Sequence, residues 1–352
     1  MKTKQPPKDL TLIQLFDRFG TDEKARQHLE KVLWKDGVVC PHCQCRDQMK
    51  FSDIAANPEA KTRAGLRWCS NCKSKFTVTI GTIFEDSHIP LRKWLIAWYL
   101  LCSSKKGIAA LELQRLLELG SYRTALFMAH RIRYALKETG FTEKLRGTVE
   151  VDEVSIGGVY PQAKGGKNAN KTPVVALVQR GGPVRSKVMP TVNGANLKQA
   201  VRENVERCSQ LHTDLNAAYH GLRFEYEHKT VNHSRDEFSH HEGENIVSTC
   251  SVESYFSLLK RGIVGVFHHV SAQHLPLYLA EFDHRHNCRK MSDGERTDMP
   301  KEKIQLPAWL PKWKNEPLKF TFSPDAALHR GAFVKLPKGR GQTVRSKKLA
   351  RI

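Results

Sequence analysis

Two Cys-x2-Cys pairs constrain this chain more than any other feature. Cys40 and Cys43 ("CPHC") and Cys69 and Cys72 ("CSNC") are separated by 25 residues. Each pair forms a knuckle, and two knuckles bring four thiolates to one tetrahedral centre, the arrangement of a structural zinc site. So short a segment has little core of its own, so one bound Zn2+ is expected to supply much of its folding energy. His42 and Cys45 could each replace one ligand, but they fit the paired symmetry less well. The run "KFTVTIGTIF" after the second knuckle is β-type and predicts a small hairpin stacked on the centre.

The charge balance narrows the class of partner. The 352 residues carry 57 Lys and Arg against 36 Asp and Glu, a net charge of +21. Such an excess points to a polyanion, with double-stranded DNA the first candidate, because each phosphate contact releases condensed counterions. Nine cysteines, an odd number, argue for metal binding or free thiols over a disulfide framework. The longest apolar run, "WLIAWYLLC" from Trp94, is too short to span a bilayer, and "MKTKQPPKDL" has no apolar signal core. A cytoplasmic, nucleoid-associated protein with no membrane partner is therefore expected.

The pattern of periodicities divides the chain into five parts. Residues 1–36 read as helical, with Leu12, Leu15, Phe16 and Phe19 on one stripe. Residues 37–88 hold the cysteine knuckles, and 89–145 are helical again. Residues 146–292 alternate β-type runs with helices, an α/β pattern. Residues 293–352 form a basic extension, and from Arg330 onward it has eight Lys and Arg and no acid, which predicts a solvated tail.

Within 107–138 the spacing suggests a helix-turn-helix. Ile108, Leu111, Leu113 and Leu116 are the apolar positions of its first helix, Gly120 supplies the turn, and Ser121 caps the second helix. Tyr122, Arg123 and Thr124 then stand where a recognition helix meets base edges. Ala125, Met128, Ile132 and Leu136 face inward, leaving Arg131 and Arg133 for the surface. An ordinary helical hairpin matches the same pattern.

Three stretches carry carboxylates that need a reason. In "TVEVDEVSIGG" the period of two puts Glu150 and Asp152 on one face of a strand and Glu153 on the other. Like charges so spaced repel unless a cation lies between them, and Mg2+ takes carboxylate oxygens. Asp214, in "QLHTDLNAAYHGL", follows a short β-type run; on local pattern alone it is as well explained as a cap for the next turn. Glu253 lies on a helix whose apolar stripe is Val252, Phe256 and Leu259, and Lys260 follows two turns later on the same side. A strand–strand–helix set of Asp, Asp and Glu can hold two metal ions about 3.5–4 Å apart for in-line phosphoryl displacement. Lys260 and the adjoining Arg261 would then meet DNA phosphate, although a solvated lysine is the commoner case. Glu281 and Arg285, four apart, predict a structural pair.

With these motifs assembled, the sequence resembles the zinc-ribbon DDE transposases of bacterial insertion sequences, the ISXO-two-like group. The resemblance covers roughly residues 10–290 and rests on "RWCSNCKSKFTVTIGTIFEDSHIPLRKW", "VEVDEVSIGG", "LHTDLNAAYHGL" and "VESYFSLLKRGIVGVFHHVSAQHLPLYLAEFDHRHNCR". It implies a ribonuclease-H-like α/β catalytic domain behind a zinc ribbon and a helical DNA-binding region. It also implies binding of terminal inverted repeats and DNA cleavage and strand transfer with two Mg2+ or Mn2+ ions, by a homodimer or larger assembly. By motif match Asp152, Asp214 and Glu253 take the triad positions and Lys260 the lysine after the last acid. One position departs: relatives often carry Asn three residues before the Glu, and here Cys250 stands there. Thiols are poor Mg2+ ligands, so Glu253 is expected to be the third ligand. Two rival readings are a transposase-derived DNA-binding regulator without catalysis and a metal-dependent nuclease without strand transfer.

Overall fold

A computed structural model describes residues 10–60, 62–137, 143–158, 171–232, 239–243, 245–297 and 301–305. Helices α1 (Leu12–Phe19) and α2 (Asp22–Leu33) begin at Thr11 and Thr21, whose hydroxyls accept from the amides of Gln14 and Lys24. The Gln14 side chain returns a bond to the Thr11 amide, completing a capping box. Leu15 and Phe19 are buried as the stripe predicts, but Phe16 is 57 % exposed. The next three strands, β1 (Phe51–Ile54), β2 (Leu66–Cys69) and β3 (Ser74–Phe76), form an antiparallel sheet in that order. The expected β run ends early, at Phe76. From Thr77 the chain turns repeatedly, with Thr82 Oγ1 donating to the Thr79 carbonyl at 2.6 Å. Threonine hydroxyls offer the backbone a local alternative to a ladder, and Val78, Ile83 and Phe84 bury themselves among helices instead.

Those helices are α3 (Leu91–Ser103), α4 (Ala110–Leu116) and α5 (Tyr122–Leu136). One apolar core unites Leu15, Ala25 and Leu29 with Trp94, Trp98, Leu113, Met128 and Ile132, so the chain on either side of the cysteine knuckles packs together. Ala125, Met128, Ile132 and Leu136 face inward as expected. Other expectations for this segment need correcting. Leu111 and Leu116 are exposed on the short α4, and the left-handed residue of the α4–α5 turn is Glu118 (φ 49°), not Gly120. Arg131 and Arg133 are buried. Arg131 donates to the Glu85 carbonyl at 2.9 Å and lies over the Trp94 ring. Arg133 reaches Glu281 at 2.5 Å, below.

The α/β part is a five-stranded sheet, order β6-β5-β4-β7-β8, built from β4 (Thr148–Ile156), β5 (Thr172–Gln179), β6 (Val184–Val188), β7 (Gln210–Asp214) and β8 (Glu227–Val231). β4, β5 and β6 are antiparallel neighbours; β7 runs parallel to β4, and β8 parallel to β7. Helix α6 (Gly194–Asn204) covers one face, where Val149, Val151, Val175 and Leu177 meet Leu197, Val201 and Tyr219. The short pair β9 (Ser239–Glu242) and β10 (Asn245–Ser248) leads into α7 (Cys250–Gly262). With α8 (Leu275–Asn287), α7 covers the other face, where Val174, Ala176 and Val178 meet Val252, Phe256, Leu259 and Leu279. Both faces of β4 are thus covered, and its valines and acids alternate between them.

The two parts are tied by buried charge. Glu281 of α8 is fully buried between Arg133 of α5 and Arg285 of its own helix. Burial pushes its carboxyl up, but Arg285 and Arg133 overcome this and hold it below the ordinary carboxylate range. Tyr278 adds its ring face 4.0 Å from the Arg133 guanidinium. Gly262 allows a close approach at the same junction: a Cβ there would lie 2.3 Å from Phe282 Cζ and 2.8 Å from the Lys106 carbonyl. The chain then returns through α9 (Asp293–Thr297) and α10 (Lys301–Ile304). Ile304 is buried in the helical core and its carbonyl accepts from the Ile83 amide at 3.0 Å. The basic extension therefore begins as part of the helical core; its Arg-rich stretch from Arg330 lies outside the described residues.

Candidate metal centre and carboxylate cleft

The four cysteines come together as their spacing predicts. Their sulfurs all lie within 4.8 Å of one another. Cys40 and Cys72 sulfurs are 3.7 Å apart, and those of Cys43 and Cys69 are 3.8 Å apart. A tetrahedron with Zn–S bonds of about 2.3 Å has edges of about 3.8 Å, so the cage has the size zinc requires. Each knuckle passes through a left-handed residue just after its second cysteine, Gln44 (φ 59°) and Lys73 (φ 53°). Asn71 Nδ2 donates to Cys43 Sγ at 3.5 Å, which favours the thiolate. Neither alternative ligand joins the four: the Cys45 side chain packs against the small apolar cluster of Cys40, Cys69 and Phe76, and His42 Nε2 meets the Lys75 carbonyl at 3.3 Å.

The carboxylates converge differently. Pairing between the parallel strands β4 and β7 ends at Glu150 opposite His212. Asp152 and Asp214 stand two residues beyond that pair on their own strands, at the same end of the sheet. Asp214 Oδ1 accepts from the Asn216 amide at 3.3 Å, while the following helical turn is capped by Asn216 itself. Glu253 lies in the first turn of α7 and accepts from Thr249 Oγ1 at 2.7 Å. A cavity of about 320 Å³ is lined by Asp152, Glu153, Glu253, Phe256, Lys260 and Arg261 among others. The helical spacing of Glu253 and Lys260 thus does bring both to one cleft. Asp214 and Cys250 are not among the walls; Asp214 stands beside Asp152 at the end of the sheet, and Cys250 is exposed at the first position of α7.

Electrostatics show how crowded this negative charge is. Burial first, with the charges of Glu153, Asp214 and Glu253 adding, pushes the Asp152 carboxyl up to about 6. The Glu153 amide, donating to Asp152 Oδ1 at 2.7 Å, works the other way. Glu153 is also raised, by burial and then by Asp214, against the donors Tyr219 and Asn216. Acids whose charges raise one another would ionise more readily beside a cation, and an all-oxygen donor set suits a hard divalent ion. The oxygens are spread more widely than the sulfurs: among the described residues, the cysteines form the one set of three or more such donors within 4.8 Å.

Sequence reading did not assign the two flanking acids. The period of two holds: Glu150 points with Asp152 toward α7, and Glu153 toward the far side. There Glu153 accepts from Tyr219 Oη at 2.5 Å and Asn216 Nδ2 at 2.8 Å, gripping the loop after Asp214. Glu150 is fully buried and paired with Arg180 at 2.8 Å. At the other region of interest, Tyr122 and Arg123 are exposed at the start of α5, whereas Thr124 is half-buried and shares a 2.9 Å hydrogen bond with Ser121. His268 and His269 are exposed on the loop after α7. No helix of the described residues is long and apolar enough to cross a membrane.

Two parts of the chain match known family models. Residues 144–287 match the model of the ISXO2-like transposase domain, and residues 20–75 match that of the transposase zinc-ribbon domain. The chain is also similar to the uncharacterized protein in transposable element ISH50 of Halobacterium salinarum. The two are 26 % identical over 287 residues, covering 76 % of this chain and 91 % of that protein.

Proposed function

We propose, from the premise that this chain belongs to the ISXO2-like, zinc-ribbon transposase family, that it is an insertion-sequence transposase that cuts DNA at the element's terminal inverted repeats and joins the ends to a target. The observation that carries this is that Asp152 and Glu253 line one cleft with Lys260 and Arg261, with Asp214 close enough at the same end of the sheet for its charge to raise Asp152. The sheet supports a ribonuclease-H-like reading of the fold: three antiparallel strands joined by two parallel ones, with helices on both faces. In functional terms the chain divides into residues 1–36, a ribbon at 37–88, a DNA-binding region at 89–145, a catalytic domain at 146–292 and an extension at 293–352.

Asp152, Asp214 and Glu253 would hold Mg2+ or Mn2+. When bound, such ions supply an activated water or 3′-hydroxyl and charge stabilisation at the leaving oxygen. The protein's own part is to hold three ionised carboxylates rigidly beside one cleft. Lys260 and Arg261 neutralise the incoming phosphates and set the backbone against those acids. Glu153, through Asn216, fixes the loop that carries Asp214. Tyr122 and Arg123 present an exposed edge for DNA, with Thr124 shared between the cap and the groove. The buried Arg133–Glu281–Arg285 cluster holds that edge rigidly to the catalytic helices. Two ends must be held together for joining, so the working form is a homodimer or larger.

The test is incubation of purified protein with DNA carrying the terminal repeats and Mg2+ or Mn2+. Nicking at the 3′ ends followed by joining is expected. Binding of the ends without nicking or joining would sink the enzyme reading in favour of a regulator, and nicking without joining would leave a nuclease. Unchanged activity in Asp214→Ala would overturn the site assignment alone.

A further inference from the structure

Glu150 is the acid of β4 that the cleft does not use, and it is the most completely engaged. It has no exposed surface. Oε1 accepts from Arg180 Nε at 3.0 Å, Arg180 Nη2 at 2.8 Å and Ser251 Oγ at 3.0 Å. Oε2 accepts from the amides of Ser251 at 2.6 Å and Val252 at 3.2 Å. Those two amides belong to the first turn of α7 and have no partner within the helix. They immediately precede Glu253. The same Arg180 also donates to the carbonyls of Ile246 at 2.8 Å and Ser248 at 3.3 Å, so it holds the strand that feeds α7. The N-cap residue of α7 does not supply the usual cap: Thr249 makes no side-chain capping bond to the helix amides. A carboxylate from the sheet does that work, favoured by the helix dipole.

The geometry has a consequence for the cleft. Glu150 and Asp152 are two residues apart on one face of one strand, about 7 Å along it. Anchoring the first turn of α7 to Glu150 therefore sets where Glu253 stands relative to Asp152. We propose that Glu150, with Arg180 behind it, is the positioning residue that fixes Glu253 against Asp152 across the strand–helix gap. The inference rests on reading Asp152, Asp214 and Glu253 as the catalytic carboxylates. Glu150 touches neither DNA nor the reacting atoms; it acts through α7.

Two variants separate positioning from bulk stability. Glu150→Gln keeps the shape but removes the charge. The double variant Glu150→Met with Arg180→Met removes both charges together, which for a buried pair is often close to neutral for stability, while leaving the Ser251 and Val252 amides without an acceptor. Three readouts are taken on the full chain: single-turnover cleavage of repeat DNA with Mn2+, affinity for that DNA, and amide exchange along residues 249–262 against α5 as an internal reference. The expected result for both variants is a cleavage rate lower by about 10–100-fold at unchanged DNA affinity, with faster exchange confined to the start of α7. The inference is overturned if the double variant retains its melting temperature and cleaves within about threefold of wild type. It is equally overturned if exchange at the α7 start does not change in Glu150→Gln, which decides the matter should the double variant not fold. If the wild type neither nicks nor joins, the transposase reading falls by itself, and local exchange still tells whether Glu150 holds the helix.

Discussion

The ribbon gathers four cysteines, and the cleft, on the function proposed above, gathers carboxylates for a cation, yet the two do so in opposite ways. Four sulfurs stand within 4.8 Å of one another on turns of the chain that have little core around them. The carboxylates stand farther apart on strands and a helix that are packed on all sides. In the ribbon a bound zinc would organise the fold; in the cleft, on the proposed reading, the fold would organise a place for the metal. The reason is the cost of the empty state. Thiols can be neutral and share weak S–H contacts until an ion arrives, whereas carboxylates at neutral pH repel, and only a rigid scaffold keeps them together.

The comparison can be broken most forcefully at the ribbon. Removing zinc with a strong chelator, or Cys69→Ser, should unfold residues 37–76, because structural zinc contributes on the order of 10 kcal/mol. Zinc content and exchange protection in β1–β3 should fall together, while protection in β4–β7 persists. Ribbon strands that stay protected without metal would erase the contrast. Next in size is the cleft: Glu253→Gln and Asp214→Ala should each cost about 10³-fold or more in strand transfer, about 4 kcal/mol, with zinc content, fold and DNA binding intact. A collapse of the fold in either variant would mean that the cleft, like the ribbon, is held by its ligands.

A smaller effect has the opposite sign. The Asp152 carboxyl is raised to about 6 in the folded chain against an ordinary 3.8. Its protonated form is therefore favoured by folding, and the stability this brings is present below pH 3.8 and lost as pH rises through about 6. Without divalent metal at pH 7, Asp152→Asn should thus be more stable than wild type by about 1–2 kcal/mol, measured by denaturant midpoint, although inactive. A destabilised Asp152→Asn would refute the view that the empty cleft is under charge strain. Smallest of all, Cys250→Asn should change cleavage by less than about threefold, since Cys250 is exposed and Glu253 lines the cleft. If changes at Cys250 matter and Glu253→Gln does not, the third ligand is misassigned.

How much of this was legible beforehand differs residue by residue. The zinc cage was readable because its ligands are paired at a spacing of three along the chain, and local turns suffice to aim them. The split of Glu150 and Asp152 from Glu153 was readable because a strand alternates by covalent geometry. The inward face of α5 was readable from its 3.6-residue period, but Arg131 and Arg133 were not. Arg133's partner is Glu281, 148 positions away, and an arginine in isolation always looks like a surface residue. The exposed Leu111 and Leu116 fail for the mirror reason: an apolar side chain does not announce that no neighbour covers it. Asp214 was ambiguous locally and gained meaning only beside β4.

The sequence by itself thus determined the parts whose physics is short-range: the four-cysteine centre, the helical stripes, the strand faces and the net charge. Tertiary structure alone decided how Glu150 and Glu153 are employed, where Arg133 lies and that Asp152, Asp214 and Glu253 share one end of a sheet. Those outcomes depend on desolvation and on charge partners brought from distant segments, and both are properties of the packed chain.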